Sequence, residues 1–375
     1  MSFPLSIRTL TWTRDSHGLF DYETKSVIAK NFKTVKTGRV VIAGDNCDFN
    51  CESSLPREGA LVQVNEVNGE YIVRAEKQER FWFVVKEYSS DDGNKGYKLN
   101  EEDIVKIGRI KLKVKEINTK GYEPIQETKE EERLMNGAAC RFCLGDTEKD
   151  SNPLITPCKC AGSMKYIHYK CLQVWLMEKV KTKQTGNSVS YSWSQLQCEI
   201  CKEAYPTSIR IEGKTWQLID VNKPPLPYII LQDLRSERTE QSLHVLSSVD
   251  NSAIKIGRGH ENEIRISDIS VSRLHSTIKV TKSGFYLEDN NSKFGTLVLA
   301  RKPVLLKRNS SLVIQCKRTV IYFSLKEPRN LISICLVCCG SNSQVAPEPG
   351  QVDERASEMD GEEEEESEQE EDRSA

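Results

Sequence analysis

The sequence predicts a multidomain, mostly β protein with a small cysteine-rich module between two β units. Three observations support this fold class. Cysteines are closely spaced between residues 140 and 201, short apolar runs alternate with Gly and Asn turns, and an acidic segment lies near residue 375. A chain of 375 residues suggests two or three domains, and 38% hydrophobic residues can fill their cores.

The cysteine-rich module contains eight metal-ligating side chains in four close pairs. One or two residues separate the members of each pair, and a histidine takes the fifth position. Thiolates and imidazole are the ligands that structural zinc prefers, in tetrahedral sets of four. The pattern therefore predicts two complete Zn²⁺ sites with no position open for catalysis. The ligands are Cys140, Cys143, Cys158, Cys160, His168, Cys171, Cys198 and Cys201.

Two other uses of cysteine compete with zinc, because cysteine also occurs as a buried apolar residue and in disulfides. Core packing does not explain the pairing. No secretory signal is recognisable, so we expect an intracellular protein, cytoplasmic or nuclear, with reduced thiols. We also expect ordinary thiols at the cysteines outside the pairs, which include Cys47, Cys51, Cys316, Cys335, Cys338 and Cys339.

The paired ligands resemble the RING-CH finger, also called the RING variant. The resemblance rests on CRFCLG at 140–145, on PCKCAGSMKYIH at 157–168, and on the run from Cys171 to Trp175 and Leu176. It implies a cross-braced fold that zinc stabilises, since about seventy residues bury too little core alone. One implied ligand set is Cys140, Cys143, His168 and Cys171; the other is Cys158, Cys160, Cys198 and Cys201.

The PHD finger, a reader of histone tails, has the same order of ligands. A PHD finger usually has an aromatic residue where this chain has Leu196, and fewer than the seven residues that separate Cys160 from His168. Trp175 also lies on a predicted short helix, Lys170 to Lys181. These features favour the RING-CH finger and leave the PHD-like chromatin reader as the weaker alternative.

The resemblance to RING-CH fingers implies a ubiquitin ligase that binds a ubiquitin-conjugating enzyme and orients its ubiquitin for transfer to a substrate lysine. By the same resemblance, Phe142 and Trp175 would contact the conjugating enzyme, and Lys202 would contact both enzyme and ubiquitin. A proline common between the last two ligands is absent, and Glu199 and Ile200 stand there instead. A non-enzymatic adaptor therefore remains the alternative function.

A second region, 229–327, resembles the FHA domain, a β-sandwich that binds phosphothreonine peptides. The resemblance rests on Ile256-Gly257-Arg258, on VSRLH at 271–275 and on NSKFGT at 291–296. Strands are predicted at Ser276 to Val280, Phe285 to Leu287, Ser311 to Ile314 and Val320 to Leu325.

An arginine guanidinium matches the geometry of a phosphate, and hydroxyl groups can complete its binding site. By resemblance, Arg258 and Ser272 would hold the phosphate, Arg273 would add positive charge, and His275 would brace the loop from below. Many family members have an Asn where this chain has Phe294. We expect Lys293 to compensate for its loss.

The upstream third of the chain shows a weak sequence similarity to this region. Val40 to Asp45 repeats the apolar-then-glycine pattern of Ile254 to Arg258, and strand-like runs occur at Phe81 to Tyr88 and Ile104 to Ile117. We predict a degenerate FHA-like domain with a structural or partner-binding role. The predicted divisions are an N-terminal segment 1–36, the degenerate FHA-like domain 37–118, a linker 119–136, the finger 137–206, a connector 207–228, the FHA domain 229–327, an apolar cysteine-containing segment 328–350, and an acidic tail 351–375.

The net charge of −2 conceals a strong asymmetry. Thirteen acidic and two basic residues lie between Asp353 and Arg373, which predicts a disordered, solvated tail. The positive remainder is too dispersed to predict nucleic-acid binding. The longest apolar run, Leu331 to Cys339, is far shorter than the roughly twenty residues of a membrane span, so none is expected.

Overall fold

The computed structural model divides the chain into residues 1–327 and 328–375, and the second unit lies outside the described residues. The expectations for Cys335, Cys338, Cys339 and the acidic tail therefore also lie outside them. The described ranges are 3–14, 18–51, 59–76, 79–88, 93–119, 129–131, 138–146, 151–194, 196–211, 213–234, 241–247 and 253–326.

The described residues form strands, one α-helix and two short 3-10 helices, Val85–Glu87 and Gly162–Lys165. The first strands are β1 (Leu5–Trp12), β2 (Val27–Thr34), β3 (Gly38–Ala43), β4 (Asn46–Asn50), β5 (Ala60–Val67), β6 (Glu70–Ala75), β7 (Trp82–Val84), β8 (Tyr97–Lys98), β9 (Ile104–Ile107), β10 (Ile110–Asn118) and β11 (Lys129–Glu131). The cysteine-rich region and its connector contribute β12 (Leu154–Ile155), β13 (Ile167–His168), α1 (Tyr169–Met177), β14 (Lys181–Thr185), β15 (Ser188–Trp193), β16 (Ser208–Ile211) and β17 (Lys214–Gln217). The last strands are β18 (Tyr228–Asp233), β19 (Gln241–Ser247), β20 (Ile254–Gly257), β21 (Ile264–Arg265), β22 (Ser276–Thr281), β23 (Gly284–Asp289), β24 (Thr296–Leu299), β25 (Val304–Leu306), β26 (Ser310–Cys316) and β27 (Thr319–Leu325).

The downstream sandwich is built from two facing sheets around one apolar core. One sheet has the order β21-β20-β22-β23-β8, and the other contains β19-β18-β10-β9-β24. Alternate side chains of β10 point inward, so that Ile110, Leu112 and Val114 are buried against Ile229 and Phe285. This alternation is the period-2 pattern of a strand with one buried face. The predicted strands of 229–327 are all present.

The upstream sandwich has its own core. A five-stranded sheet, β25-β6-β5-β3-β4, packs on β7-β26-β27-β1-β2, with Leu5, Val62, Tyr71, Ile314 and Phe323 fully or almost fully buried between them. Strands β3, β5 and β6 pair with one another in the order shown by β20, β22 and β23 downstream. This shared pairing order supports the proposal of a repeated fold.

The two sandwiches exchange strands along the chain. Residues 97–118 supply β8, β9 and β10 to the downstream sandwich, where β10 pairs with β18 and β9 with β24. Residues 304–325 supply β25, β26 and β27 to the upstream sandwich, where β27 pairs with β1 and β25 with β6. Strand pairing thus crosses the predicted divisions at 118 and 229. Neither sequence-contiguous segment holds all strands of one sandwich.

Strands β14 and β15, which lie between the ligands Cys171 and Cys198, form a hairpin. Its second strand pairs antiparallel with β19, so the hairpin extends the sheet of the downstream sandwich. Trp193, for which the sequence indicates no role, is buried in the core that the hairpin, α1 and the sandwich share. The helix α1 is shorter at its end than the predicted 170–181, because the chain turns into β14 after Met177.

Candidate zinc centre and phosphopeptide surface

The first ligand group comprises Cys140, Cys143, His168 and Cys171, whose ligand atoms all lie within 4.8 Å of one another. The short β12–β13 pair places His168 at the start of α1, and Cys171 lies in the first turn of that helix. The His168 Nδ1 atom lies 3.2 Å from the Cys143 sulfur. His168 therefore presents Nδ1 to the group, while its buried Nε2 has no hydrogen-bond partner among the described residues.

The second ligand group comprises Cys158, Cys160, Cys198 and Cys201, again with all sulfurs within 4.8 Å. The Cys160 and Cys198 sulfurs are 3.6 Å apart. Two sulfurs on one tetrahedral zinc, each at about 2.3 Å from the metal, would be about 3.8 Å apart. The donor types and this spacing fit zinc, and the two groups interleave along the chain as a cross-braced finger does.

The first and last ligand pairs form matching backbone turns. Leu144 and Lys202, each the residue after the second cysteine, have φ angles of 59° and 60°. Their N–H groups donate to the carbonyls of Cys140 and Cys198 at 2.8 and 2.9 Å. The turns direct N–H groups at sulfur, as Phe142 N does towards Cys140 Sγ at 3.4 Å. Such donors stabilise thiolates.

The second group holds one strongly acidic thiol. Burial raises the pKa of Cys198, but backbone N–H groups of Cys201 and Ile200, together with the Arg141 guanidinium, outweigh burial and lower the pKa to about 5. Burial and neighbouring thiols raise the pKa of Cys158 to about 12. Because a zinc ligand must lose its proton, a bound cation would be needed to ionise Cys158 at neutral pH.

Arg141 connects the two ligand groups. Although it belongs to the first cysteine pair, its guanidinium donates to the sulfurs of Cys160 and Cys198 at 3.4 Å each. The same guanidinium donates to the Tyr205 hydroxyl at 2.8 Å and to the Met164 carbonyl at 2.9 Å. The sequence pattern of ligands carried no signal for this role.

Phe142 and Trp175, predicted to contact a conjugating enzyme, lie together, with ring centroids 6.0 Å apart. They line a shallow groove of about 130 Å³ with the exposed apolar side chains of Met164 and Ile200. In the sequence, Ile200 was noted only as a residue in the place of the missing proline. Its apolar side chain next to the ligand Cys201 was the feature that could have indicated a contact surface. Lys202 is exposed on the turn that follows Ile200.

The groove also carries an ion pair. Lys179 Nζ lies 3.8 Å from the centroid of the Trp175 ring and 3.5 Å from a carboxylate oxygen of Glu199. Glu199, at the position of the usual proline, thus holds Lys179 over the Trp175 ring. Both charged groups are well exposed, so the pair contributes little to stability.

The predicted phosphopeptide residues lie on three neighbouring loops of the downstream sandwich. Arg258 follows β20, Ser272 and Arg273 precede β22, and Lys293 precedes β24. Backbone N–H groups connect the loops: Arg258 N donates to the Ser272 carbonyl at 2.9 Å, and Lys293 N to the Ser272 hydroxyl at 3.2 Å. The side chains of Arg258, Arg273 and Lys293 are exposed at this surface. These bonds bring the loops that carry the three cationic residues together at one surface.

His275 lies beneath these loops and is fully buried. Its Nδ1 accepts the Ser272 N–H at 3.1 Å, and its Nε2 lies 3.2 Å from the Gly295 carbonyl, to which it donates. Burial lowers the pKa of His275, which favours the neutral ring that this pair of bonds requires. This is the bracing role expected from the sequence.

Residues of the upstream third also build the phosphopeptide surface. Asp21 Oδ2 lies 3.5 Å from Lys293 Nζ, and Tyr22 N donates to the Lys293 carbonyl at 2.9 Å. Phe294 packs against Trp12, with the centroids of the two rings 6.4 Å apart. Part of the positive charge expected of Lys293 is therefore balanced by Asp21, a residue that the sequence analysis missed.

The turn between β9 and β10 also supports the loop that carries Ser272. Arg109 N donates to the Ser270 hydroxyl at 2.9 Å, and the Arg109 guanidinium lies 3.2 Å from Asp268. At Gly108, which has a φ of 59°, an added Cβ would lie 2.3 Å from Ser270 Oγ. Only glycine permits this close approach. The exchanged strands thus support the loop that holds Ser272.

The ligand groups and the three-loop sandwich define a protein that combines a RING-variant finger with an FHA domain. Residues 140–201 match the sequence model of the RING-variant domain, and residues 254–315 match that of the FHA domain.

Similar proteins include the E3 ubiquitin-protein ligase MARCHF7 of Rattus norvegicus, 37% identical over 21% of this chain and 10% of that protein. The ERAD-associated E3 ubiquitin-protein ligase DOA10 of Saccharomyces cerevisiae is 39% identical over 20% of this chain and 5% of that protein. The E3 ubiquitin-protein ligase marc-3 of Caenorhabditis elegans is 34% identical over 23% of this chain and 17% of that protein. The chain thus spans less than a fifth of the length of each of these relatives.

Within the part of the chain that the structure describes, no helix combines the length and the apolar character that a membrane crossing requires.

Proposed function

We propose that this chain is a zinc-dependent ubiquitin ligase of the RING type that recruits phosphothreonine-containing proteins through its FHA domain. Two zinc ions would hold the finger together, one in each ligand group. The observation that supports the ligase best is the groove of Phe142, Trp175 and Ile200 on the face of the completed finger. Zinc would supply only folding, because each ligand group has four protein ligands.

The finger's part in transfer is orientation. Phe142, Trp175 and Ile200 would offer a conjugating enzyme an apolar contact surface, and the exposed Lys202 would donate hydrogen bonds to enzyme and ubiquitin. Holding the reactive thioester in an attack-ready geometry accelerates transfer without a covalent intermediate on this chain. Similar proteins that are named as E3 ubiquitin-protein ligases support this assignment.

The first experiment measures discharge of ubiquitin from a panel of charged conjugating enzymes onto free lysine by the full chain. We expect acceleration by at least one enzyme, and about a thirtyfold or greater loss in Trp175→Ala, because truncating a central aromatic anchor costs roughly 2 kcal/mol or more. Val174→Ala is the matched control: this residue lies on the same helix, is 59% exposed and does not line the groove. Equal loss in both variants would contradict the proposed docking face.

The second experiment measures binding of a phosphothreonine peptide library to the full chain. We expect Arg258→Ala to weaken binding by about tenfold or more, since hydrogen bonds to charged groups contribute roughly 1.5–3 kcal/mol. Lys282→Ala is the control, because Lys282 lies in the turn between β22 and β23, at the opposite end of these strands. Unchanged binding by Arg258→Ala would exclude the proposed phosphate contact.

A non-enzymatic adaptor remains the second candidate, and the ion pair of Lys179 and Glu199 over Trp175 favours it. In that case the finger would bind a partner without promoting transfer. Absence of discharge with every conjugating enzyme tested, from a chain shown to contain two zinc ions, would support the adaptor.

A further inference from the structure

The finger and the FHA domain share a sheet. The hairpin β14–β15 is inserted between the ligands Cys171 and Cys198, and β15 pairs with β19 along six residue pairs, from Ser188↔Leu246 to Trp193↔Gln241. The hairpin is therefore part of both the finger and the FHA domain. A flexible linker between two domains would have no such ladder of backbone hydrogen bonds.

The two bodies also share a core. Leu172 and Leu176 of α1 and Trp193 of the hairpin belong to the same buried cluster as Leu243 and Val245 of the sandwich. Each of these side chains is at most 3% exposed. Rotation of the finger against the sandwich would expose this cluster to water, and several buried side chains contribute roughly 1.5–3 kcal/mol each.

The hairpin tip contacts the downstream sandwich. Ser247 N donates to the Asn187 carbonyl at 3.0 Å, and a Cβ built at Gly186 would lie 3.9 Å from Glu263 Cγ. Glu263 Oε2 accepts the N–H of Lys255, so the tip lies beside the start of β20, the strand that leads to Arg258. The five residues of β14 lead from the end of α1 to this tip, a rise of about 17 Å.

From this shared sheet and core we infer that the finger and the FHA domain act as one rigid body, which selects substrate lysines by their distance from the bound phosphothreonine. The inference rests on the proposed ligase function and adds its substrate class. That class is a phosphothreonine protein with an acceptor lysine at a set separation along an extended segment. A flexible tether would instead present lysines over a broad range of separations.

The test uses the full chain, a charged conjugating enzyme and a series of phosphothreonine peptides. Each peptide carries one lysine, placed between four and about thirty residues from the phosphothreonine in steps of two. An extended chain spans at most about 3.3–3.6 Å per residue, so each step shifts the lysine by up to about 7 Å. We expect ubiquitin transfer to peak within a window of separations and to fall about tenfold for lysines too close to reach. At separations longer than this window, ubiquitin transfer is expected to decline more gradually, because the entropic cost of loop closure depends weakly on length.

Two controls separate this inference from the function on which it rests. Discharge onto free lysine reports the finger alone, and peptide affinity, measured by fluorescence anisotropy, reports the FHA domain alone. No discharge onto free lysine would overturn the ligase proposal and this inference with it. A flat transfer profile, with normal discharge and equal affinities, would overturn the rigid-body inference and leave the ligase standing.

A variant without the hairpin tests whether the hairpin couples the finger to the FHA domain. Replacing residues 182–192 by a Gly/Ser loop of equal length removes the pairing with β19 and keeps Trp193 and all eight ligands. We expect the variant to retain ubiquitin discharge onto free lysine and peptide affinity. Its ubiquitin transfer should extend to lysines closer to the phosphothreonine than those that the wild type reaches. An unchanged profile in a variant with intact controls would contradict the coupling role of the hairpin. The wild-type profile decides the inference by itself if the variant fails to fold.

Discussion

Arg141 shows how much one side chain between the ligand pairs contributes to the finger. Its guanidinium donates to two sulfurs of the second ligand group, although its own backbone belongs to the first. The guanidinium reaches the two sulfurs from two different nitrogens, whereas a lysine would have to donate both bonds from a single nitrogen. The two metal sites are therefore coupled through a charged group as well as through the chain.

Replacing Arg141 by Ala should accelerate loss of zinc from the second group. Removing two charge-assisted hydrogen bonds at about 1.5–3 kcal/mol each predicts at least a tenfold faster release to a chelator. Release can be followed with a chromogenic zinc indicator, and the untreated chain should contain two zinc ions. Arg141→Lys is the control, with an intermediate rate expected. Release unchanged in both variants would show that these bonds do not stabilise the metal site.

His275 predicts a pH dependence of stability. Its pKa is lowered in the folded chain by burial. When pH falls below the unfolded value of about 6.5, the unfolded state binds a proton that the folded state resists, so stability is lost as pH falls. The loss is at most about 1.4 kcal/mol per pH unit for one proton.

The measurement compares denaturant unfolding of the wild type and His275→Gln between pH 7.5 and 5. The wild type should lose more stability over this interval than the variant, whatever their difference at pH 7.5. Parallel curves would show that His275 does not account for the pH dependence. The comparison of slopes cancels the titration of other groups that both chains share.

At the scale of elements, the turn between β9 and β10 supports one of the loops that are predicted to bind the phosphopeptide. This turn belongs to a hairpin that originates far upstream, yet Arg109 and Gly108 contact the loop before Ser272. The loop conformation therefore depends on a strand pair that is distant in sequence.

Gly108→Ala should weaken phosphopeptide binding and destabilise the chain, because its Cβ would overlap the hydroxyl and carbonyl of Ser270. A left-handed backbone conformation alone costs an alanine about 1–2 kcal/mol, and the overlap adds to that. Gly44→Ala is the matched control, since Gly44 has a φ of 63° and no atom within 4 Å of the added Cβ. Similar losses in both variants would show that the contact with Ser270 adds nothing.

At the scale of the whole molecule, the exchange of strands makes the two sandwiches interdependent. The downstream core includes Val105, Ile107 and Leu112 from upstream strands, and the upstream core includes Ile314 and Phe323 from downstream strands. Each sandwich would lack part of its apolar core if it were separated from the other at residue 229. Folding must also form contacts between residues about two hundred positions apart, which favours slow folding.

A fragment of residues 229–327, the FHA domain that the sequence predicts, should therefore not reproduce the downstream sandwich. We expect the fragment to show little cooperative unfolding and no phosphopeptide binding, whereas residues 1–327 should show both. Circular dichroism during denaturation and fluorescence anisotropy measure the two properties. A fragment that folds and binds would show that β25, β26 and β27 can take the places of β8, β9 and β10.

The sequence by itself was sufficient for the local features of this protein. Ligand spacing, the Gly and Asn turns and period-2 alternation depend on neighbouring residues, so they predicted the ligand residues and the strands, whereas Arg258 and Ser272 were assigned by the family resemblance. The family resemblance added the sorting of ligands into two groups, and the grouping in the structure agrees with it.

Only the tertiary structure decided which strands pair. The segments 97–118 and 304–325 have the same kind of alternating pattern, and alternation specifies which face of a strand is buried without specifying its partner. For the same reason the sequence could not place Trp193 in a core shared by finger and sandwich, or Asp21 beside Lys293. Such contacts join residues far apart in the chain, and their energies depend on packing that no local pattern records.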